Sequence, residues 1–379
     1  MDLALTGGHL IDPHAARNGK FDIGFSGRKV DRVESAINRD DAREIIDVGG
    51  KYVVPGLIDL HTHVYHGGTS LGVHPDRLAR RAGVTTFVDA GSAGAGNFPG
   101  FHDHIIQPSR ARILAFLNIS FSGIFGFDVN VGECKDLDLC DPDQALARAK
   151  EFGDRIIGIK VRVGHNTSGS NGVSPLEMAK QASDRLAKPL MTHIDKPPPS
   201  IEAVLQLLGP GDILTHCFRP FPNQPVTGNG MVKQEVLAAR ERGVVFDTGH
   251  GRGSFGFETA TRMLENGFEP DVISSDVHSQ CIDGPAHDLL HVMSKFMALG
   301  MTLETVVEKA TIAPALAIDQ TDIGHLNVGA RADATIFRVE EGRFEYFDVV
   351  GERIVSDSRL VCDGLVIDGV FWGIDEESA

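Results

Sequence analysis

Eight short apolar runs alternate with helix-forming segments through the middle of the chain, and this alternation restricts the possible folds more than any other feature. The runs are "GLIDLHTH", "VTTFVDAG", "RILAFLNIS", "IIGIKVRV", "KPLMTHID", "DILTHCF", "VVFDTGH" and "VISSDVHS". Each is rich in Leu or β-branched residues and too short to be a good helix. The segments between them, such as "PLEMAKQASDRLAK", have helical periodicity, and several end on Gly, as helix C-termini prefer. The pattern predicts an α/β protein built on a parallel (β/α)8 TIM barrel.

The two ends of the chain lack this alternation. Residues 1–55 and 321–379 consist of short strand-like runs joined by polar turns, and neither end is large enough for a core of its own. We therefore expect the two ends to combine into one small β-sandwich domain, with the barrel, residues 56–320, inserted between them. A chain of 379 residues suits this arrangement of a large barrel with an appendage.

The composition excludes several classes of function. Asp and Glu number 52 against 36 Lys and Arg, a net charge of -16, which repels phosphate backbones and anionic membrane surfaces. Neither an apolar run of about 18 residues nor a secretory signal is present, so we expect a cytoplasmic protein. The five cysteines are odd in number and form no C-x-x-C, which argues against a disulfide framework and a thiolate zinc cage.

Six polar residues stand at the C-terminal ends of the predicted strands, where a barrel of this kind builds its active site. His61 and His63 lie two apart on the first strand, so their side chains share a face. The others are Lys160 on the fourth strand, His193 on the fifth, His216 on the sixth and Asp276 on the eighth. Imidazoles and a carboxylate without thiolate suit zinc, with manganese, iron or cobalt as alternatives.

Each of these residues also has a purely structural interpretation. A single strand histidine, including His66 or His74, can be hydrogen-bonded and bind nothing, and Asp276 could cap the segment that follows it. Lys160 could point outward toward a carboxylate, although inside a strand it would otherwise bury an unpaired charge. The joint placement at successive strand ends favours a metal site.

The motifs "PGLIDLHTH", "GIKVR", "MTHID", "LTHCF" and "SSDVH" resemble those of the amidohydrolase superfamily of metal-dependent hydrolases. The resemblance spans the chain, because members of that family also carry a small β-domain made from both termini. It implies that His61 and His63 hold one divalent ion and that His193 and His216 hold a second. Lys160, as a carbamate formed with CO2, would bridge the two ions.

The resemblance also implies a mechanism. Two ions, most simply Zn²⁺, would share a hydroxide that attacks the carbonyl of an amide or ester. Asp276 would contact one ion, take the proton from this hydroxide and deliver it to the leaving group.

The substrate is suggested by a departure from one branch of the family. Enzymes of the dihydroorotase type carry Arg two residues after the second His, and here that position is Tyr65. The stretches "HVYHGGTSLGV" and "DAGSAGAGNF" resemble the deacetylase-type branch instead. This implies N-acetyl amino acids or O-acetylated α-hydroxy acids as substrates.

A substrate carboxylate needs a partner, and guanidinium groups provide a bidentate one. Arg162 lies two residues after Lys160, on the same face of the strand, and Arg219 and Arg252 follow later strands. The complete set of predicted substrate-binding residues is Tyr65, Arg162, Arg219, His250, Arg252 and His278. Each of them can also be a packing, surface or salt-bridged residue. We expect a small-molecule acetylated acid as the partner, no nucleic acid or membrane, and a homo-oligomer.

Two other functions stay open at this point. A dihydroorotase or another cyclic-amide hydrolase would keep the mechanism and change the substrate. A non-catalytic interaction protein on the same barrel would be favoured by loss of any of the six candidate ligands, and all six are present.

Overall fold

The structure is a computed structural model that describes residues 1–129 and 131–374. The β-strands are β1 (Leu3–Thr6), β2 (His9–Asp12), β3 (Arg17–Lys20), β4 (Asp22–Ser26), β5 (Lys29–Glu34), β6 (Glu44–Asp47), β7 (Tyr52–Pro55), β8 (Leu57–Thr62), β9 (Val84–Gly94), β10 (Arg112–Asn118), β11 (Ile156–Val163), β12 (Leu190–Ile194), β13 (Ile213–Thr215), β14 (Val245–Asp247), β15 (Ala334–Phe347), β16 (Arg353–Ile367) and β17 (Val370–Gly373). The α-helices are α1 (Pro75–Ala82), α2 (Phe98–Phe101), α3 (Pro142–Glu151), α4 (Ser174–Leu186), α5 (Ile201–Leu207), α6 (Gln234–Glu241), α7 (Phe257–Glu265), α8 (Leu289–Ala298), α9 (Leu303–Glu308) and α10 (Ile312–Ala317).

A seven-stranded parallel sheet forms the centre of the molecule. Its strands β8 to β14 stand in chain order, each hydrogen-bonded to the next. Strands β8, β9 and β11 are buried along their whole length, and β10 is buried after its first residue. This burial explains why their sequences are continuous apolar runs rather than alternating ones. The first seven of the eight predicted runs thus form strands, and the sheet has a TIM-barrel-like arrangement.

The eighth predicted run, "VISSDVHS", does not form a regular strand, and this part of the prediction was wrong. Its backbone makes one parallel bridge to each edge of the sheet, Val272 with Asp247 and Val277 with Thr62. Between these points, side-chain hydrogen bonds supplement an irregular set of backbone bonds. The Ser275 amide, for example, donates to Asp59 Oδ1 at 2.9 Å, and the Asp276 amide donates to the carbonyl oxygen of His61 at 2.7 Å. The segment 272–277 therefore lies between β14 and β8 and brings Asp276 beside the first strand.

The two ends of the chain share one β-rich region, as predicted. One sheet has the strand order β5-β4-β1-β6 and the other β17-β16-β15-β7-β2-β3. Strand β7, which leads directly into β8, pairs with β15 from the C-terminal part of the chain. The start of the parallel sheet is therefore tied to both ends of the chain.

Apolar residues fill the interior of the parallel sheet at the N-terminal ends of its strands. Ile58, Val88, Leu114 and Ile213 belong to one buried cluster, which is joined by Ala315 of α10. This packing leaves the C-terminal ends of the strands for polar side chains. No helix among the described residues is long and apolar enough to cross a membrane.

Candidate metal centre and its cavity

A cavity of about 460 Å³ opens at the C-terminal ends of the parallel strands. All six predicted ligands line it: His61, His63, Lys160, His193, His216 and Asp276. They come from β8 and the residue after it, β11, β12, the residue after β13 and the segment 272–277. The structure therefore brings together residues that are up to 215 positions apart in the sequence.

The side chain of Asp276 lies at the centre of this group. Its Oδ1 is 3.2 Å from Nε2 of His63 and 3.3 Å from Nε2 of His61. Potential ligand atoms of His61, His216 and Asp276 all lie within 4.8 Å of one another. Nitrogen and oxygen donors this close together are suited to binding divalent metal ions.

Hydrogen bonds at Nδ1 of His61 and at Nδ1 of His63 determine which ring nitrogen carries the proton. Nδ1 of His61 lies 2.8 Å from Oγ1 of Thr215, and that hydroxyl donates to Asp247 at 2.6 Å. Because the Thr215 hydroxyl proton is used on Asp247, His61 must donate from Nδ1. Nδ1 of His63 lies 2.9 Å from Oγ of Ser92, whose hydroxyl likewise hydrogen-bonds a carboxylate, that of Asp89. Both rings therefore direct an unprotonated Nε2 into the cavity.

Burial keeps these rings neutral. It lowers the pKa of His63 to about 3 and that of His61 well below its ordinary value. Two imidazole lone pairs thus face one oxygen of the Asp276 carboxylate, with acceptors opposite acceptors. A cation placed among them would stabilise this arrangement, so the residues present fit a metal ion.

His193 and His216 make a second close pair. Nδ1 of His193 donates to Nε2 of His216 at 2.6 Å, because Nδ1 of His216 is already used on the carbonyl oxygen of Gly249 at 2.7 Å. This leaves Nε2 of His193 buried and without a hydrogen-bond partner among the described residues. A buried, unpaired imidazole nitrogen is a position for a metal ligand.

Lys160 is fully buried beside these histidines. Its Nζ lies 3.4 Å from Nε2 of His61, and no carboxylate of the described residues forms an ion pair with it. Burial lowers the pKa of Lys160 to about 7. A substantial fraction of neutral amine at neutral pH follows, which is the form that can add CO2.

The backbone around the centre is held in unusual conformations. His216 and Asp276 have φ values of 69° and 48°, in the left-handed region that non-glycine residues seldom adopt. The neighbouring Gly249 has φ 46°, and a Cβ there would lie 2.2 Å from Oγ1 of Thr215. Gly249 therefore packs tightly under the site, where only a residue without a side chain fits.

Four of the predicted substrate-binding residues line the cavity: Arg162, Arg219, Arg252 and His278. Arg162 donates from Nη1 to Oε1 of Glu133 at 2.9 Å. Arg219 donates to the carbonyl oxygens of Ile194 and Pro222. Arg252 is exposed at the cavity mouth and donates to the side chain of Gln280 at 2.8 Å. Burial lowers the pKa of His278 to about 4, so this ring is neutral.

Tyr65 and His250 are not among the described residues that line the cavity. The Tyr65 ring packs 4.6 Å from that of Phe101. Nε2 of His250 accepts a hydrogen bond from Nζ of Lys295 at 2.8 Å, and its ring stacks on Phe255. These contacts direct both side chains away from the cavity. The pattern of strand residues in the sequence does not predict such contacts.

Several polar residues of the cavity were missed by the sequence analysis. They are Glu133, Lys135, Asn166, Thr167, Asp195, Lys196 and Ser254. Asp195 follows His193 by two residues, a spacing that could have identified it. Glu133 and Lys135 lie in an irregular segment between β10 and α3, where no periodicity predicts which side chains face the cavity.

The charge of the cavity is opposite to that of the whole protein. Five of the lining residues are lysines or arginines besides Lys160: Lys135, Arg162, Lys196, Arg219 and Arg252. The carboxylates that line it are Glu133, Asp195 and Asp276. In a chain of net charge -16, this local excess of cations favours an anionic ligand.

A parallel sheet with imidazoles, a lysine and a carboxylate at its C-terminal edge defines a hydrolase of the metal-dependent kind. Residues 52–369 match the model of the amidohydrolase family, and the chain belongs to that family. The resemblance seen in the sequence motifs is thereby confirmed, and the protein is an enzyme of the hydrolase class.

Three relatives of known name illustrate the range of the family around this chain. A deacetylase of Agrobacterium fabrum is 38% identical over 334 residues, which is 87% of this chain and 81% of the relative. A solved structure of an adenine deaminase has a TM-score of 0.93 and 32% identity, covering 98% of this chain and 100% of the other. A solved structure of a dihydroorotase has a TM-score of 0.90 and 35% identity, covering 98% and 97%.

Proposed function

We propose that this enzyme is a metal-dependent deacetylase that hydrolyses N-acetyl amino acids or O-acetylated α-hydroxy acids. The observation that carries the proposal is the convergence of His61, His216 and Asp276 within 4.8 Å at the base of a cation-lined cavity. The named deacetylase relative, 38% identical over 87% of this chain, supports the same reaction.

We assign two divalent ions, most simply Zn²⁺, to the six candidate ligands. His61 and His63 would hold one ion, His193 and His216 the other, and the carbamate of Lys160 would join both sites. The burial of Lys160 without a carboxylate partner among the described residues supports this modification, because a buried ammonium without a counter-ion is destabilising. When bound, such ions would polarise the scissile carbonyl and make a water molecule more acidic.

The protein's own residues would supply proton transfer and orientation. Asp276 lies close to His61 and His63, and its side chain is 12% exposed, so its carboxylate can receive a proton and release it to the leaving amine or alcohol. The hydrogen bonds from His61 to Thr215 and from His63 to Ser92 keep each Nε2 directed at the centre. Arg162 and the other cavity cations would hold the carboxylate of the substrate.

Metal analysis and a substrate screen test this proposal together. The purified protein should contain up to two equivalents of a divalent metal, and the loaded enzyme should release acetate from acetylated amino or hydroxy acids of one configuration. A correctly folded protein that neither contains nor takes up metal would refute the metal site. A metal-loaded protein that releases no acetate from any member of the screen would refute the substrate class.

A dihydroorotase is the second candidate, favoured by the dihydroorotase structure at 35% identity and a TM-score of 0.90. Against it, the Arg expected two residues after His63 is Tyr65, whose hydroxyl donates to the carbonyl oxygen of Asn97 at 3.3 Å. Ring opening of dihydroorotate by the loaded enzyme, measured beside acetate release, distinguishes the two functions.

We further propose that residues 56–320 are the catalytic unit, a (β/α)8 barrel in which the segment 272–277 takes the place of the eighth strand. Residues 1–55 and 321–379 would then form the supporting β-sandwich domain, whose last five residues lie outside the described part of the chain. The pairing of β7 with β15 supports this division.

A further inference from the structure

The guanidinium group of Arg162 is already paired with a carboxylate of the protein itself, that of Glu133. Nη1 of Arg162 lies 2.9 Å from Oε1 of Glu133, and the two side chains are 10% and 5% exposed. The ring of Phe127 lies 5.0 Å from the same guanidinium group. A substrate carboxylate that reaches Arg162 therefore meets Glu133 at close range.

Glu133 belongs to a wall of the cavity whose backbone is anchored. The amide of the next residue, Cys134, donates to the carbonyl oxygen of Thr167 at 3.0 Å. The amide group of Asn171 donates to the carbonyl oxygens of Cys134 and Lys135. These bonds tie the backbone of the wall to the segment after β11 and place the Glu133 carboxylate beside Arg162.

We infer that Glu133 is a specificity-determining residue, whose carboxylate competes with that of the substrate for Arg162 and thereby sets the affinity for acids. The inference rests on the proposed function. Removal of an acetyl group leaves the carboxylate of the acid unchanged, so the group that binds the substrate also binds the product. Two carboxylates at one buried guanidinium repel each other, and Glu133 would therefore weaken substrate binding and hasten product release.

The other cations of the cavity explain why a carboxylate that competes with the product for Arg162 would assist product release. Lys135 and Lys196 line the cavity and form no ion pair with any side chain that the structure describes. Together with Arg252 they attract anions to the mouth. Without the charge of Glu133, the same field would hold the carboxylate of the product more tightly.

The substitution Glu133→Gln tests the inference because it removes the charge and keeps an oxygen that can accept from Arg162. N-acetylalanine and its carboxamide, both in each configuration, serve as charged and neutral substrates, and alanine serves as the product. We expect KM for the acid and the inhibition constant of the product to fall about tenfold, with little change for the carboxamide.

In the Arg162→Met background, Glu133→Gln should have no such effect. Glu202→Gln, which removes a carboxylate paired with Lys233 outside the cavity, is the matched control and should change neither constant.

Three outcomes overturn the inference. They are an equal change for the acid and the carboxamide, an increase of KM for the acid, and an effect that persists without Arg162. If the wild type hydrolyses neither compound, N-acetylalanine is not its substrate, and the screen of acetylated acids tests the substrate class separately. Calorimetric titration of metal-loaded wild type and Glu133→Gln with N-acetylalanine then decides the matter: tighter binding to the variant supports the inference, and equal or absent binding to the two proteins overturns it.

Discussion

Nζ of Lys160 lies 3.4 Å from Nε2 of His61, although 99 positions separate the two residues in the sequence. Strands β9 and β10 lie between their strands in the sheet. The contact exists because the parallel sheet curls and both side chains enter the same interior. It places Lys160, the only fully buried lysine among the described residues that line the cavity, next to a candidate metal ligand.

Replacement of this lysine should uncouple the two proposed ions. Lys160→Ala is expected to lower metal content and activity, because the bridging group is lost, and a small carboxylic acid such as propionate should restore part of both. The measurement is metal analysis and turnover with and without the acid. The wild type with the same acid is the control. Full metal content in the variant without acid would contradict a bridging role.

Asp276→Asn should separate metal binding from proton transfer. We expect kcat to fall roughly 100-fold or more, since an amide cannot take up the proton, while most of the metal is retained by the histidines. Turnover and metal content are measured on the same preparation. Unchanged turnover would show that another group moves the proton.

Arg162→Met tests the binding of the substrate carboxylate. KM should rise for acetylated acids more than for neutral esters if Arg162 holds the carboxylate. The substitution also leaves the buried Glu133 without its partner, which is destabilising, so thermal melting must be followed beside kinetics. An equal effect on charged and neutral substrates would identify Arg162 as a structural residue.

Asp247 should act on metal affinity through His61. Its carboxylate accepts from Thr215 and from Ser274, at 2.6 Å in both cases, and Thr215 orients the His61 ring. Asp247→Asn is therefore expected to weaken metal binding about 10- to 100-fold, measured by competition with a chelator. Asp184→Asn, at an exposed pair with Lys180, is the control. If the variant bound the metal as tightly as the wild type, Asp247 would not be a residue that positions His61.

Removal of the metal should lower the thermal stability of the fold. The Nε2 atoms of His61 and His63 face the carboxylate of Asp276 at 3.2 to 3.3 Å, and without a cation these groups are poorly compensated. At a free metal concentration 100 times Kd, the ion adds about 3 kcal/mol of stability. Melting of chelated and reconstituted protein measures the difference. The same Tm with and without metal would contradict a bound ion at this position.

The central strands were predictable because each is a short apolar run followed by a segment with the periodicity of a helix. The H-x-H of His61 and His63 was predictable as a shared face because strand side chains alternate. The eighth run was misjudged for a physical reason: Ser275 and Asp276 form side-chain and backbone bonds to β8, which a local pattern does not reveal.

The sequence by itself determined the family, the order of strands and helices, and the six residues that line the base of the cavity. Local propensity and strand periodicity carry this information. Only the tertiary structure decided that His250 turns to Lys295, that Tyr65 packs away from the cavity and that Glu133 pairs with Arg162. The direction of these side chains depends on contacts with segments remote in the chain. Long-range packing and buried charge pairing produce no periodic pattern in the sequence from which they could be predicted.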